Sequence, residues 1–152
     1  MMLSWLFSDP LPVGADAPDF HARDDSGREV TLSALRGRYV VLVFYPGDDT
    51  PTCTKQLCQF RDQWSQAIAR GIEVFGVNPR NARKHADFRK KFQFPFPLLV
   101  DQGQLVAKAY HANGPIVKRT VYLIGRDGRI LFARRGMPDV GEVLAAAKAT
   151  TT

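Results

Sequence analysis

Apolar and polar positions fall in blocks along this chain, and block length separates strands from helices. Tyr39 to Tyr45 is apolar at every position, the pattern of a strand buried on both faces, and Ile72 to Val77 repeats it with few interruptions. Between them, Leu57, Phe60, Trp64 and Ile68 recur every three or four residues. That spacing predicts one helix over Thr52 to Arg70, with Gly71 just past its end. Asn81 to Phe92 reads as a basic amphipathic helix. Phe94-Pro95-Phe96-Pro97 follows as a rigid connector packed into the core, and Leu98 to Val100 as a short strand. Val30 to Leu35 carries a short strand and turn, and Gly103 to Tyr110 one short helix. Arg119 to Ile124 and Arg129 to Arg134 flank Gly125-Arg126-Asp127-Gly128, whose Asp-Gly is a hairpin signal. Val140 to Lys148 closes the chain as an Ala-rich helix. The alternation predicts an α/β fold with a mixed sheet, parallel through the crossovers and antiparallel at the hairpin.

A chain of 152 residues that is 45% hydrophobic and 24% charged is one soluble domain with a core of its own. No apolar run approaches the roughly 20 residues that cross a bilayer. Met1-Met2-Leu3-Ser4-Trp5-Leu6-Phe7 has no basic region and too short an apolar stretch for a secretory signal, so a cytoplasmic, membrane-free protein is expected. Residues 1–12 read as an N-terminal extension that packs on the domain of residues 13–150 or on a partner, with Asp9-Pro10-Leu11-Pro12 extended. The net charge of +6 admits nucleic acid as a ligand. Its basic residues are spread out, however, and carry no interleaved aromatics for base stacking, so no nucleic-acid partner is expected.

The chemistry concentrates at Phe44 to Cys58, which holds both cysteines of the chain. Two cysteines and no secretory signal imply a reducing compartment in which any disulfide is transient. Pro46-Gly47 ends the strand, and Thr50 as N-cap with Pro51 at the first helical position starts the helix. Cys53 then lies in the first turn, where unpaired N–H groups and the positive end of the helix dipole favour thiolate over thiol. Cys58 lies five residues on. In an ideal helix that separation puts the Cα atoms ~8.6 Å apart, beyond the ~7 Å limit for a disulfide. A bond between the two thiols therefore requires the first turns of the helix to unwind. His21, His85 and His111 are scattered without metal-ligand spacing, so no metal or other cofactor is expected, and His85 on the basic helix reads as a surface residue.

Pro46-x3-Thr50-x2-Cys53 resembles the active-site signature of the peroxiredoxins. The string FYPGDDTPTCTKQLCQFRD is similar to the subfamily called PrxQ or bacterioferritin comigratory protein. Val13 to Phe20, Asp25 to Val30 (like the subfamily's first hairpin), Leu35-Arg36-Gly37, Phe96 to Leu99 and Arg119 to Ile124 extend the resemblance in order. Thr52 stands where Gly is common, and Gly125 where Asp is common; neither removes a residue the chemistry needs. The resemblance implies a thioredoxin-like fold with a mixed central sheet flanked by helices, and thiol-dependent reduction of hydrogen peroxide and organic hydroperoxides. It implies Cys53 as the attacking thiolate, Thr50 as a hydroxyl bonded to thiolate and peroxide, and Arg119 as the cation aimed at the thiolate. It further implies Pro46 as a shield of the loop, Cys58 as the resolving thiol, a thioredoxin-type protein as reductant, and a monomer.

Two other functions stay open on the residues alone. A thiol–disulfide oxidoreductase on the same fold would want Cys-x-x-Cys rather than this wider spacing. A basic binding module with incidental cysteines would keep its activity when Cys53 is replaced, and its affinity would fall steeply with salt.

Overall fold

The computed structural model describes residues 9–148, so the Trp5-Leu6-Phe7 patch lies outside the described residues. Seven strands form one sheet: β1 (His21–Asp24), β2 (Glu29–Thr31), β3 (Tyr39–Phe44), β4 (Ile72–Asn78), β5 (Leu98–Val100), β6 (Thr120–Ile124) and β7 (Ile130–Arg135). Their spatial order is β2-β1-β5-β4-β3-β6-β7. The central β3, β4 and β5 run parallel, joined by crossovers, while β1, β2, β6 and β7 pair antiparallel on the flanks. Among the described residues five α-helices cover the sheet: α1 (Pro51–Asp62), α2 (Trp64–Ala69), α3 (Ala82–Phe92), α4 (Leu105–Ala109) and α5 (Val140–Lys148). The expected mixed α/β architecture is what the chain adopts.

β3 shows why the central strands carry unbroken apolar runs. Alternate side chains serve opposite faces. Tyr39, Val41, Val43 and Tyr45 join Leu57, Phe60, Phe88, Val143 and Leu144 under α1, α3 and α5. Val40, Leu42 and Phe44 join Phe75, Val106, Tyr110 and Tyr122 on the side of α4. With both faces covered, every residue of β3 is buried. Phe94 and Phe96 are buried too, their rings stacked at 5.4 Å, which places the connector in the core as expected.

Several boundaries differ from the sequence reading. The helix expected over Thr52 to Arg70 is two helices broken at Gln63, whose φ of −109° and ψ of 19° leave helical geometry. The break changes the phase of the buried face. Ala67 packs inward and Ile68, at 58% exposure, faces solvent, while Trp64 turns onto the Phe96 ring at 5.9 Å. The segment Gly103 to Tyr110 is a 3₁₀ turn at Gln102–Gln104 followed by α4. Residues 9–12 lie against the domain, with the Leu11 N–H donating to the Tyr122 hydroxyl at 2.9 Å. The hairpin forms as its turn residues require: Gly128 takes φ of 85°, and the Asp127 carboxylate accepts from the Arg129 N–H.

Gly76 marks the closest approach in the core. A Cβ there would sit 2.6 Å from Leu98 Cδ2 and 3.1 Å from Tyr45 Cε1. Gly76→Ala is expected to destabilise the fold by about 1–3 kcal/mol, the usual cost of overpacking, read as a lower denaturant midpoint at unchanged slope.

Candidate active site

The site is built where β3 stops. The Tyr45 N–H still reaches the Val77 carbonyl at 3.3 Å, but Pro46 has no N–H to continue the ladder. The chain turns through Gly47, Asp48 and Asp49, the last with φ of 56° in the left-handed region that Asp tolerates better than most residues. Thr50 then takes the extended conformation of an N-cap (φ −90°, ψ 149°), and Pro51 opens α1. The first intrahelical bond runs from the Thr54 N–H to the Thr50 carbonyl at 2.8 Å. Thr52 and Cys53 thus supply N–H groups that a helix start leaves without backbone acceptors.

Thr50 occupies the expected position without making the expected bond. Its hydroxyl does not cap α1; it donates to the Gly47 carbonyl at 3.4 Å, and the residue is exposed. Pro46 is half-buried beneath the same loop.

Cys53 is 1% exposed and packs with Tyr45, Leu57 and Phe60. Its sulfur accepts a hydrogen bond from Arg119 Nη2 at 3.3 Å, so residues 66 positions apart in sequence meet. Arg119 comes just before β6, at the edge of the sheet nearest the helix start, and its guanidinium is divided between two acceptors. While Nη2 faces Cys53, Nη1 donates to Gln56 Oε1 at 2.8 Å. Gln56 is itself held by Nε2 donating to the Gly136 carbonyl at 3.2 Å, and the Gly136 N–H donates back to the Arg119 carbonyl at 2.8 Å. This closed ring of bonds fixes the cation that touches the sulfur. A planar guanidinium suits it, because two donors leave in set directions at once.

Residues 13–133 match the family model described as the AhpC/TSA family. The chain belongs to that family. Among its relatives, the chloroplastic peroxiredoxin Q of Oryza sativa subsp. japonica is 39% identical over 139 residues, covering 86% of this chain and 64% of the rice protein. The chain thus spans about two thirds of the length of that relative. The solved structure of peroxidoxin BcpB from Mycobacterium tuberculosis is 30% identical, covers 92% of this chain and 98% of its own, and superposes with a TM-score of 0.85. The bacterioferritin comigratory protein of Xanthomonas campestris, solved in work on its alkyl peroxide reduction activity, is 26% identical over 95% of this chain and all of its own (100%), at a TM-score of 0.82. This chain is a peroxiredoxin of the Q/Bcp group with the thioredoxin-like fold of those neighbours.

The second thiol of this peroxiredoxin, Cys58, is half-buried on the same intact helix and packs at the edge of the core; both cysteines are free. Burial pushes the Cys58 thiol above the ordinary cysteine range, and Asp62 adds to this while Arg61 opposes it. Among the described residues no three His, Cys, Asp or Glu side chains gather as a metal site.

Two residues beside this site escaped the sequence reading. Gln56, 1% exposed, carried a signal: it lies three residues after Cys53, on the same helical face. His85 was expected on the surface and is fully buried. It sits three residues before Phe88 and seven before Phe92, on the inward stripe of α3, and it stays inside because three acceptors surround it. Its Nδ1 meets Asp48 Oδ2 at 2.6 Å, and its Nε2 meets the carbonyls of Asn78 and Leu99, each at 3.0 Å.

Proposed function

We propose that this peroxiredoxin is a thiol peroxidase that reduces hydrogen peroxide and organic hydroperoxides through Cys53. The observation that carries the reading is the 3.3 Å bond from Arg119 to a cysteine sulfur in the first turn of α1, in a chain of this family. The Cys53 thiolate attacks one peroxide oxygen; the O–O bond breaks and the departing oxygen takes a proton and leaves as alcohol or water. Cys53 retains the other oxygen as sulfenic acid. The cation and the helix N–H groups lie where negative charge starts on sulfur and passes to oxygen. Pro46 shields the loop, and Thr50 contributes its hydroxyl to the bound peroxide by turning from Gly47.

Cys58 then attacks the Cys53 sulfur. A disulfide forms, and the hydroxyl leaves as water with the thiol proton. Because both cysteines lie on α1, the first turns of that helix unwind for this step. A thioredoxin-type dithiol protein reduces the disulfide by exchange, so the cycle runs in a monomer without a metal or organic cofactor. A reducing compartment is required, and the cytosol meets that need.

The test is intact mass and free-thiol count after one equivalent of hydrogen peroxide is added to the reduced protein. Loss of both thiols with a mass decrease of about two units is expected, since a disulfide lacks two hydrogens. Cys58→Ser should instead gain about 16 mass units and yield a sulfenic acid that dimedone traps. Retention of both thiols would refute the peroxidase reading. Loss of one in the parent would refute Cys58 as the resolving thiol.

A further inference from the structure

Behind the loop that presents Cys53 lies a buried polar chain that the peroxidase chemistry does not use. The Tyr45 hydroxyl donates to Asp48 Oδ1 at 2.7 Å, and Asp48 Oδ2 meets His85 Nδ1 at 2.6 Å. The Asp48 side chain is 8% exposed and that of His85 is 0% exposed. Asn78, whose carbonyl faces His85 Nε2, donates through Nδ2 to the Tyr45 carbonyl at 2.7 Å. Both ends of the short run Tyr45–Asp48 are thus tied to the sheet and to α3, five residues before Cys53.

The hydrogen inventory of this chain is informative. A carboxylate and a carbonyl can only accept, and His85 points one ring nitrogen at the first and the other at two of the second. A neutral imidazole has one N–H and leaves one of these short, buried contacts without a hydrogen. With Asp48 as carboxylate, only the imidazolium satisfies all of them as donors; a neutral pair would need the Asp48 carboxyl itself to donate to Nδ1. The environment agrees. Burial pushes the ring toward neutrality, but the hydrogen bond and charge of Asp48, with the two carbonyls, outweigh it and hold His85 above the ordinary histidine range.

The other titratable groups around the pair are few. From the end of β3 comes Tyr45, whose ionisation is pushed far up by burial and by Asp48. Cys53 on α1, and Asp25, which pairs with Arg89, act on the same ring. On the solvent side of Asp48 a cleft of about 340 Å³ is lined by Asp49, Arg80, Lys84, Asp87 and Lys91. From β4 and β5 the backbone carbonyls of Asn78 and Leu99 face His85.

We propose that His85, as an imidazolium, is a positioning residue that fastens the peroxidatic loop through Asp48, and that forming the Cys53–Cys58 disulfide releases this fastening. The inference rests on the peroxidase reading above. Opening the first turns of α1 swings the loop before it, and the bond from Asp48 to α3 restrains that swing. The sign with pH follows from a raised folded-state value. The fastening is complete at and below the ordinary histidine range, and it weakens as pH rises through the raised value. Opening and protonation are therefore linked: release of the loop lowers the proton affinity of His85, and loss of the proton favours release.

The experiment is an NMR titration of the histidine rings in the full chain, reduced and as the disulfide; with three histidines the spectrum is sparse. In the reduced protein one ring is expected doubly protonated at neutral pH, with both N–H protons slow to exchange. In the disulfide form the same ring should titrate as an ordinary histidine. His85→Gln and Asp48→Asn supply a second measurement. Amide exchange over residues 51–58 is expected to speed up by roughly ten- to a hundredfold relative to parent, the worth of a charge-assisted hydrogen bond. The ratio to parent should shrink as pH rises, because parent loses its own proton; a merely structural role would give a constant ratio. A neutral His85 in the reduced protein at neutral pH would overturn the proposal, as would the same titration in both redox states or a ratio that ignores pH. If peroxide yields no disulfide while the pH-dependent ratio holds, the positioning role stands, and its link to disulfide formation and the role of Cys58 fall. If the disulfide forms and His85 titrates unchanged, the peroxidase reading stands and this proposal falls.

Discussion

Cys53→Ser is expected to lower the second-order rate constant with hydrogen peroxide by on the order of 10⁴-fold or more, the scale of nucleophile deletions in other enzymes. The fold should be retained, because serine fills nearly the same volume and Arg119 can still donate to its oxygen. What disappears is the nucleophile. A hydroxyl is not ionised at neutral pH under the influence of one guanidinium, and its oxygen is a poorer nucleophile toward peroxide than sulfur. The only thiol left would be Cys58, which is half-buried and which burial shifts toward the protonated form. Among the described hydrogen bonds it has no cation comparable to Arg119. Stopped-flow tryptophan fluorescence, together with peroxide consumption, would measure the effect. Residual activity within tenfold of parent would mean that Cys58 attacks peroxide itself, and would overturn the assignment of roles. Unfolding midpoints within about 1 kcal/mol of parent would confirm that chemistry and not stability was lost.

The sequence was legible where one physical signal dominated. Unbroken apolar runs located β3 and β4, because strands covered on both faces have no polar side. Asp127-Gly128 located the hairpin, because few residues accept the required backbone angles. Local pattern failed where distant partners decided the outcome. His85 reads as one more polar residue in Arg83-Lys84-His85, yet Asp48 and the carbonyls of two strands make burial favourable. β1 was too polar to read as a strand: only Ala22 and Asp24 of its four residues turn inward, and Asp24 Oδ1 accepts from the Ser26 and Arg28 N–H groups of the turn. The break at Gln63 was hidden by Leu57, Phe60, Trp64 and Ile68, whose regular spacing suits a helix that the packing of Trp64 on Phe96 interrupts. At the site, the signature pointed to Cys53 and the wider family resemblance to Arg119, and the fold brings the two together. Helical spacing places Gln56 on the face of Cys53, but no local pattern announces the bonds by which Gln56 and Gly136 hold Arg119, because these join α1 to the end of β7.

Arg119→Gln is expected to lower the rate constant for peroxide by roughly 10²–10³-fold, the loss that follows removal of one preorganised donor from a developing charge. The magnitude follows from how firmly the donor is held. The Gln56–Gly136 ring leaves the guanidinium little freedom, so it needs little reorganisation as charge passes from sulfur to oxygen. Arg119→Lys keeps the charge but not the fork. One ammonium cannot reach Cys53 and Gln56 in the directions that two guanidinium nitrogens do, so Lys should recover only part of the loss. Both variants also strand the buried Gln56 Oε1, which costs about 1–3 kcal/mol of stability where no water replaces the donor. Activity and stability can be separated by measuring both half-reactions. Oxidation of the reduced protein by peroxide should slow, while reduction of the preformed disulfide by a dithiol should proceed at the parental rate, because in the proposed cycle exchange at an opened α1 does not use the fixed guanidinium. Equal slowing of both half-reactions would point to general damage to the fold. An unchanged oxidation rate would remove Arg119 from the chemistry and leave the helix N–H groups of α1 as the sole stabilisers of the thiolate.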